Sequence, residues 1–478
     1  MKKYAKRFFA LLLSLILATV TFRTSVFSKN VSVPCIDILI KPEAFQKMLL
    51  ESNKGTEYPV SLTVDNISLP ASVRTRGNSS YREGLITPAK RLPYEIIFEK
   101  NMNIGEIKNV SSLKLNNSFS LYRLIAEYTA LKIYEHMGVP VSETEPVFIS
   151  FNSVDYGLYL GIEDVDKTFI QKRFGADALQ YGNLYKSVDI TESTVIDENY
   201  FSTSFFGTLQ FKCGNRDHKT LKAFLTAVET GGDFIQYLDI DKVIRFFACT
   251  AASGGTDTLL STVHNVFLYE NKGKISFIPW DLSLAFDCFD DNQSILPDDQ
   301  FSTTNDFFDI LMETDEYKEK YCAYIEEIRE TFLNPDISTA FINDFLKSVG
   351  PFYSKDHSMI FDKKVTTDNI TSGNSLVDGN ILLAISETYR QLGEQITGEA
   401  DHFYTPKNLY ESVYSLYHEE DLFAYNGADF LNKIKNNYWK AHLFSSDGTM
   451  IIVCSFAVLL VFMFLSHGKS KGRRRKRR

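Results

Sequence analysis

The sequence predicts an α+β fold: a strand-rich N-terminal part, a helical C-terminal part and a C-terminal transmembrane helix. Three observations point to it. Short alternating runs such as CIDILI, YPVSLTV and VFISF recur between Cys35 and Glu163, separated by Gly and Asn turn signals. Beyond Asp287 the pattern turns helical and aromatic-rich to about Trp439. Thr449 to Ser466 is apolar throughout. As a helix that run reaches roughly 27 Å, short but sufficient for a bilayer core of about 30 Å.

Taken in order, Lys2, Lys3, Lys6 and Arg7 precede the apolar run Phe8–Val20, which reads as a signal peptide or signal anchor over 1–28. Between the first two strands, PEAFQKMLLE is helical after its Pro. The stretch VRTRGNSSYREGLITPAKRLPYEIIFEK reads as a hairpin whose turn is Gly77-Asn78-Ser79-Ser80, with Arg74, Arg76, Lys90 and Arg91 around the loop. An amphipathic helix is expected from Leu121 to Met137, stopped by Gly138 and Pro140. VFISF and GLYLGIED form a second hairpin, and KTFIQKRFG a short helix ending in Gly. Residues from about 187 to 217 are polar and read as an irregular insertion or mobile loop. Helices over about 218–230 and 239–252 follow, and 346–445 reads as a helical extension. The basic tail 467–478 acts as a stop-transfer signal and belongs on the cytoplasmic side.

The stretch Gly254–Asp287 carries the most chemistry. Its runs FLYEN and KISFIPW flank Lys272-Gly273, which predicts a β-hairpin. Asp257 and Asn265 stand at the entrance of that hairpin and Asp281 at its exit. A hairpin brings its ends together, so two carboxylates and an amide would meet there as a divalent-metal site.

Composition narrows the function classes. The formal net charge is -9, and because both ends of the chain are basic, the part between them is more acidic still. That balance argues against nucleic-acid binding and suits basic partners. Cys35, Cys213, Cys249, Cys288, Cys322 and Cys454 include no CxxC spacing, so a structural zinc site is not expected, and no disulfide map follows. Cys249, inside VIRFFACTAA, reads as a buried small hydrophobe. A hydrolase finds no support: GxSxG and HExxH are both missing.

Several motifs occur in a fixed order: VRTRGNSSY, a basic pair before PYEIIF, LKLNNS, an Arg-bearing helix ending MGVP, GLYLGIEDVDKTFIQKRFG, the Asp257/Asn265 loop and FIPWDLSLAF. Together they resemble the spore coat protein H (CotH) kinase family, over residues 35–345. The resemblance implies a divergent protein-kinase-like fold that uses ATP and Mg²⁺ to phosphorylate Ser/Thr of secreted, surface or spore-coat proteins. It implies Asp281, in PWDLSL, and Asp257 as catalytic, metal-binding residues, with Asn265 as a further metal or phosphate contact. Lys90 or Arg91 would contact phosphate, Arg76 would match the Arg of RGNSS, and Glu163 would line the nucleotide pocket.

Such a set suits the chemistry, since phosphoryl transfer needs carboxylates for the metal, cations for phosphate charge and in-line positioning. The expected partners are a protein substrate, basic and Ser-rich, and a membrane held by one C-terminal helix, with the catalytic part outside the cytoplasm. Ser283 departs from the family pattern, which has a second Asp there. The alternative is therefore a catalytically weak or inactive surface binding or envelope-structural protein on the same fold.

Overall fold

Period-two burial closes the first seven strands into a barrel. Along β1 (Cys35–Leu39), β2 (Tyr58–Val64) and β3 (Ile67–Thr75) every second side chain turns inward, including Ile36, Ile38, Leu62, Val64 and Val73. The wall continues through β4 (Tyr94–Ile104), β5 (Ile107–Asn116), β6 (Thr144–Phe151) and β7 (Val154–Glu163), in the order β1-β2-β3-β4-β5-β7-β6. It closes by a parallel pairing of β6 with β1, Ile36 opposite Ile149. Helix α1 (Pro42–Leu50) plugs the barrel with Phe45, whose ring lies 4.6 Å from that of Phe151. This computed structural model describes residues 31–50, 55–86, 90–190, 194–255, 257–286, 305–356, 358–359, 381–397 and 432–438.

Two expectations about this half need correction. The RGNSS turn is followed not by a strand but by helix α2 (Ser79–Ile86), and only Gly77 itself, at φ +81°, takes the turn conformation that glycine allows. Helix α3 (Leu121–His136), capped by Ser120, is buried on nearly every face rather than amphipathic. The helix shares a core with Phe148, Leu158 and Leu160 of the barrel, and Tyr128 stacks at 6.1 Å on Phe341 of a later helix. Its polar residues Glu127 and Thr129 imitate a solvent face in the sequence but are enclosed.

Helices α4 (Lys167–Phe174) and α5 (Ala178–Tyr181) lead to a second sheet. It contains β8 (Gly182–Val188), β9 (Tyr200–Thr203), β10 (Gly207–Gly214), β11 (Val266–Asn271) and β12 (Lys274–Pro279), ordered β12-β11-β8-β10-β9. The stretch expected to be irregular, 187–217, therefore holds β9 and β10. Their side chains are mostly only part-buried, so the alternation that marks the barrel strands is missing. The hairpin around Lys272-Gly273 forms as expected, both turn residues at positive φ.

Helices α6 (Lys219–Glu229), α7 (Ile240–Ala252), α8 (Asp306–Met312), α9 (Asp315–Ile328), α10 (Pro335–Tyr353) and α11 (Ile381–Thr397) complete the helical part. An aromatic core of Phe206, Phe224, Phe247, Phe277 and Phe307 joins them to the second sheet, each ring burial contributing about 1.5–3 kcal/mol. Cys249 is fully buried there. Among the described residues no helix is long and apolar enough to cross a membrane. The expected signal segment 1–28, the span 449–466, the tail 467–478, Cys288 and Cys454 all lie outside the described residues.

Candidate active site

A cleft of ≈ 930 Å³ opens between the barrel and the second sheet. Asp257, Asn265, Asp281 and Arg76 all line it; Lys90, Arg91 and Glu163 do not.

The hairpin explains the first group. Val266 pairs with Pro279, and just beyond that pair the Trp280 amide donates to the Asn265 carbonyl at 3.0 Å. Asn265 and Asp281 are thus placed on adjoining strand ends. Both are left-handed, at φ 58° and 52°, as are Val263 and Phe286 at 57° and 58°. For a β-branched Val and a Phe this conformation is costly, about 1–3 kcal/mol each, and concentrates strain around the hairpin mouth. Asn265 donates its amide to the Asp257 carbonyl at 2.9 Å, tying the two loops together and turning its own carbonyl oxygen free of that bond. The Asp257 carboxylate accepts from the Thr262 hydroxyl at 2.7 Å, and His264 lies 3.8 Å from the same oxygen. At Asp281 the Ser283 hydroxyl donates to the carboxylate at 2.8 Å. Ser283 thus orients Asp281 where the family pattern would add a second charge.

On the barrel side, Arg76 donates to the Asn116 carbonyl oxygen, and Asn116 in turn donates to both Glu127 carboxylate oxygens at 2.8 and 3.0 Å. Burial first, then the nearby Asp281 carboxylate, pushes the Glu127 carboxyl up to about 8. Lys114 is ion-paired to Glu95 and, at 3.1 Å, to Asp164. Burial would raise the Asp164 carboxyl, but Lys114 holds it below the usual range. Lys186 faces Asp281 from the second sheet; burial, then the Arg76 cation, lowers its ammonium to about 8.

The remaining expected residues do other work. Arg91 is fully buried: it donates to Asp356 at 3.0 Å, to the Ser358 hydroxyl and to the carbonyls of Asn117 and Leu158. Every face of that guanidinium is occupied, so it clasps the end of α10 to the barrel rather than meeting phosphate. Lys90 donates to the Leu85 carbonyl in the last turn of α2, where a cation suits the helix end. Glu163 accepts from Arg173 at 2.6 and 3.1 Å and from Lys172 at 3.2 Å, fastening α4 to the barrel. Strand alternation turns Glu163 away, and its neighbour Asp164 lines the cleft instead. Reading the sequence missed Asp164, Lys114, Lys186 and Glu127; the signal was a charged residue inside an otherwise apolar strand or helix run.

With that geometry in view, the chain can be set beside known proteins. The CotH kinase protein family matches it over residues 73–378, more than half its length. The chain belongs to this family. Inner spore coat protein H of Bacillus subtilis (strain 168) is 23% identical over 266 residues, covering 53% of this chain and 69% of that protein. Among solved structures, a Helicobacter pylori proinflammatory kinase, CtkA, has 10% identity and a TM-score of 0.29, covering 71% of this chain and 91% of that one. The Shewanella oneidensis MR-1 toxin–antitoxin complex of HipA, HipB and operator DNA gives 11% identity and 0.31, covering 76% and 72%. Likeness that slight determines neither fold detail nor function. Membership in the CotH family makes this a kinase-like protein, and its structure is mixed α+β.

The donor set suits the metal that a kinase of this family implies. Two carboxylates and an amide oxygen match Mg²⁺, which keeps several waters and takes its other ligands from phosphate. Among the described residues no group of three or more His, Cys, Asp and Glu stands close enough to hold a metal ion by itself.

Proposed function

We propose that this protein is a membrane-tethered, exported Ser/Thr protein kinase of the CotH type, transferring the terminal phosphoryl group of ATP to secreted, surface or spore-coat proteins. The observation that carries this reading is the convergence of Asp257, Asn265 and Asp281 with Arg76 on one cleft. Asp281, Asn265 and Asp257 would hold Mg²⁺, which supplies neutralisation of the phosphate charge. Asp257, its carboxylate held by the Thr262 hydroxyl, would accept a proton from a substrate hydroxyl. Arg76, anchored by Asn116, offers its guanidinium to phosphate oxygens. Ser283 donates to the Asp281 carboxylate, so the departure from the family pattern removes a charge and leaves a hydrogen bond in its place. The acidic body suits a basic, Ser-rich substrate.

The test is stabilisation of the purified full-length chain in detergent micelles by ATP with Mg²⁺. Wild type should melt at higher temperature with the pair than with either alone, and Asp281→Asn should abolish the gain. A chain whose melting ignores Mg²⁺ and ATP would be the binding or envelope-structural protein instead. That second reading draws on Ser283, which leaves one carboxylate fewer at the hairpin exit.

A further inference from the structure

Most cations lining the cleft wall already have partners. Lys114 is held by Glu95 and Asp164, Arg74 by Glu57 and Glu95, and Arg76 by Asn116. Lys186 differs. It lies on β8, flanked in register by Phe267 of β11 and Gln210 of β10. Its ammonium sits 5.1 Å from the centre of the Trp280 ring and 5.5 Å from that of Phe267, both rings themselves buried. Among the described residues no carboxylate comes within 4.0 Å of it. Arg76 approaches the same indole at 5.8 Å, so two cations converge on Trp280, the residue just before Asp281.

A half-buried ammonium resting on ring faces is incompletely compensated, because the faces return less than desolvation of the charge costs. A lysine placed only for packing would turn its head to water. Here it faces the wall that carries Asp281, and an anion arriving there would complete it. We propose that Lys186 is a polyphosphate-binding residue of the cleft, held by Trp280 and Phe267 in position for the phosphate oxygens of the nucleotide. This assignment rests on the phosphoryl-transfer reading. It makes β8, rather than the loop bearing Lys90 and Arg91, the source of the phosphate-facing lysine, and it couples phosphate binding to the residue adjoining Asp281.

The experiment is calorimetric titration of the full-length chain in micelles with Mg²⁺–ATP and, separately, with inorganic tripolyphosphate. Lys186→Met keeps an apolar stem on the rings and removes the charge. It should weaken both ligands about ten- to a hundredfold, with Lys186→Arg recovering part of the loss. In the ligand-free state Lys186→Met should melt at or above the wild-type temperature, since an unpaired charge has gone. Undiminished binding of both ligands by Lys186→Met, with or without a lower melting temperature, would overturn the assignment. Should that variant not fold, Lys186→Gln takes its place with the same two outcomes. Wild type binding neither ligand would overturn the phosphoryl-transfer reading, and this assignment with it.

Discussion

Arg91 and Lys186 are both cations set against aromatic rings, 4.4 Å above Tyr159 in one case and 5.1 Å from Trp280 in the other. Their surroundings are opposite. The Arg91 guanidinium has a carboxylate, a hydroxyl and two carbonyls around it, within a fully enclosed cluster that joins α10 to the barrel. In the cleft, Lys186 has no carboxylate partner among the described residues, burial pushes the Glu127 carboxyl up to about 8, and four left-handed residues surround the hairpin mouth. One region has its charges satisfied and serves stability; the other leaves Lys186 incompletely compensated, which is what the proposed phosphate site requires.

Breaking the satisfied region should cost the most. Arg91→Met leaves the Asp356 carboxylate buried without its cation, a loss of about 3–5 kcal/mol, read as a lower denaturant midpoint. Nucleotide affinity of the folded fraction should stay the same; a specific loss of affinity would return Arg91 to the phosphate site. Glu163→Gln comes next, weakening the charged bonds to Arg173 and Lys172 by about 1.5–3 kcal/mol, again in stability alone.

The cleft should show itself in pH dependence. The Glu127 carboxyl is raised from an ordinary 4.5 to about 8 in the folded chain. The folded state therefore holds a proton that the unfolded chain releases, and this contribution fades as pH rises from about 4.5 through 8. Lys186 is lowered from 10.5 to about 8, so its contribution is complete above 10.5 and fades as pH falls through 8. Melting temperature of the ligand-free chain should pass through a low near pH 8, and Glu127→Gln should flatten the descending limb. A profile indifferent to that substitution would place Glu127 among the satisfied charges. Ser283→Ala should have the smallest effect, a two- to tenfold loss of transfer rate for one hydrogen bond to Asp281.

The hairpin was legible because its information is local: alternation, a Lys-Gly turn, and acids within a few residues of each end. Asp257, Asn265, Asp281 and Arg76 could be nominated from it and from the neighbouring motifs. Arg91 was not legible as a structural residue, since its partner Asp356 lies 265 positions away and a loop cation looks the same exposed or buried. Glu163 and Asp164 are adjacent acids, and only strand parity, set by β5–β7 register, decides which faces the cleft. Strands β9 and β10 escaped because β9, the edge of the second sheet, and its neighbour β10 are mostly only part-buried and carry polar side chains without clean alternation.

Phosphoryl transfer by the hairpin acids can be read as labelled phosphate passing from ATP to a basic, Ser-rich protein in the presence of Mg²⁺, catalysed by the full-length chain. The proposed function requires transfer by wild type and at least about a hundredfold less by Asp281→Asn, with melting unchanged. No transfer by wild type, or equal transfer by Asp281→Asn, would contradict it.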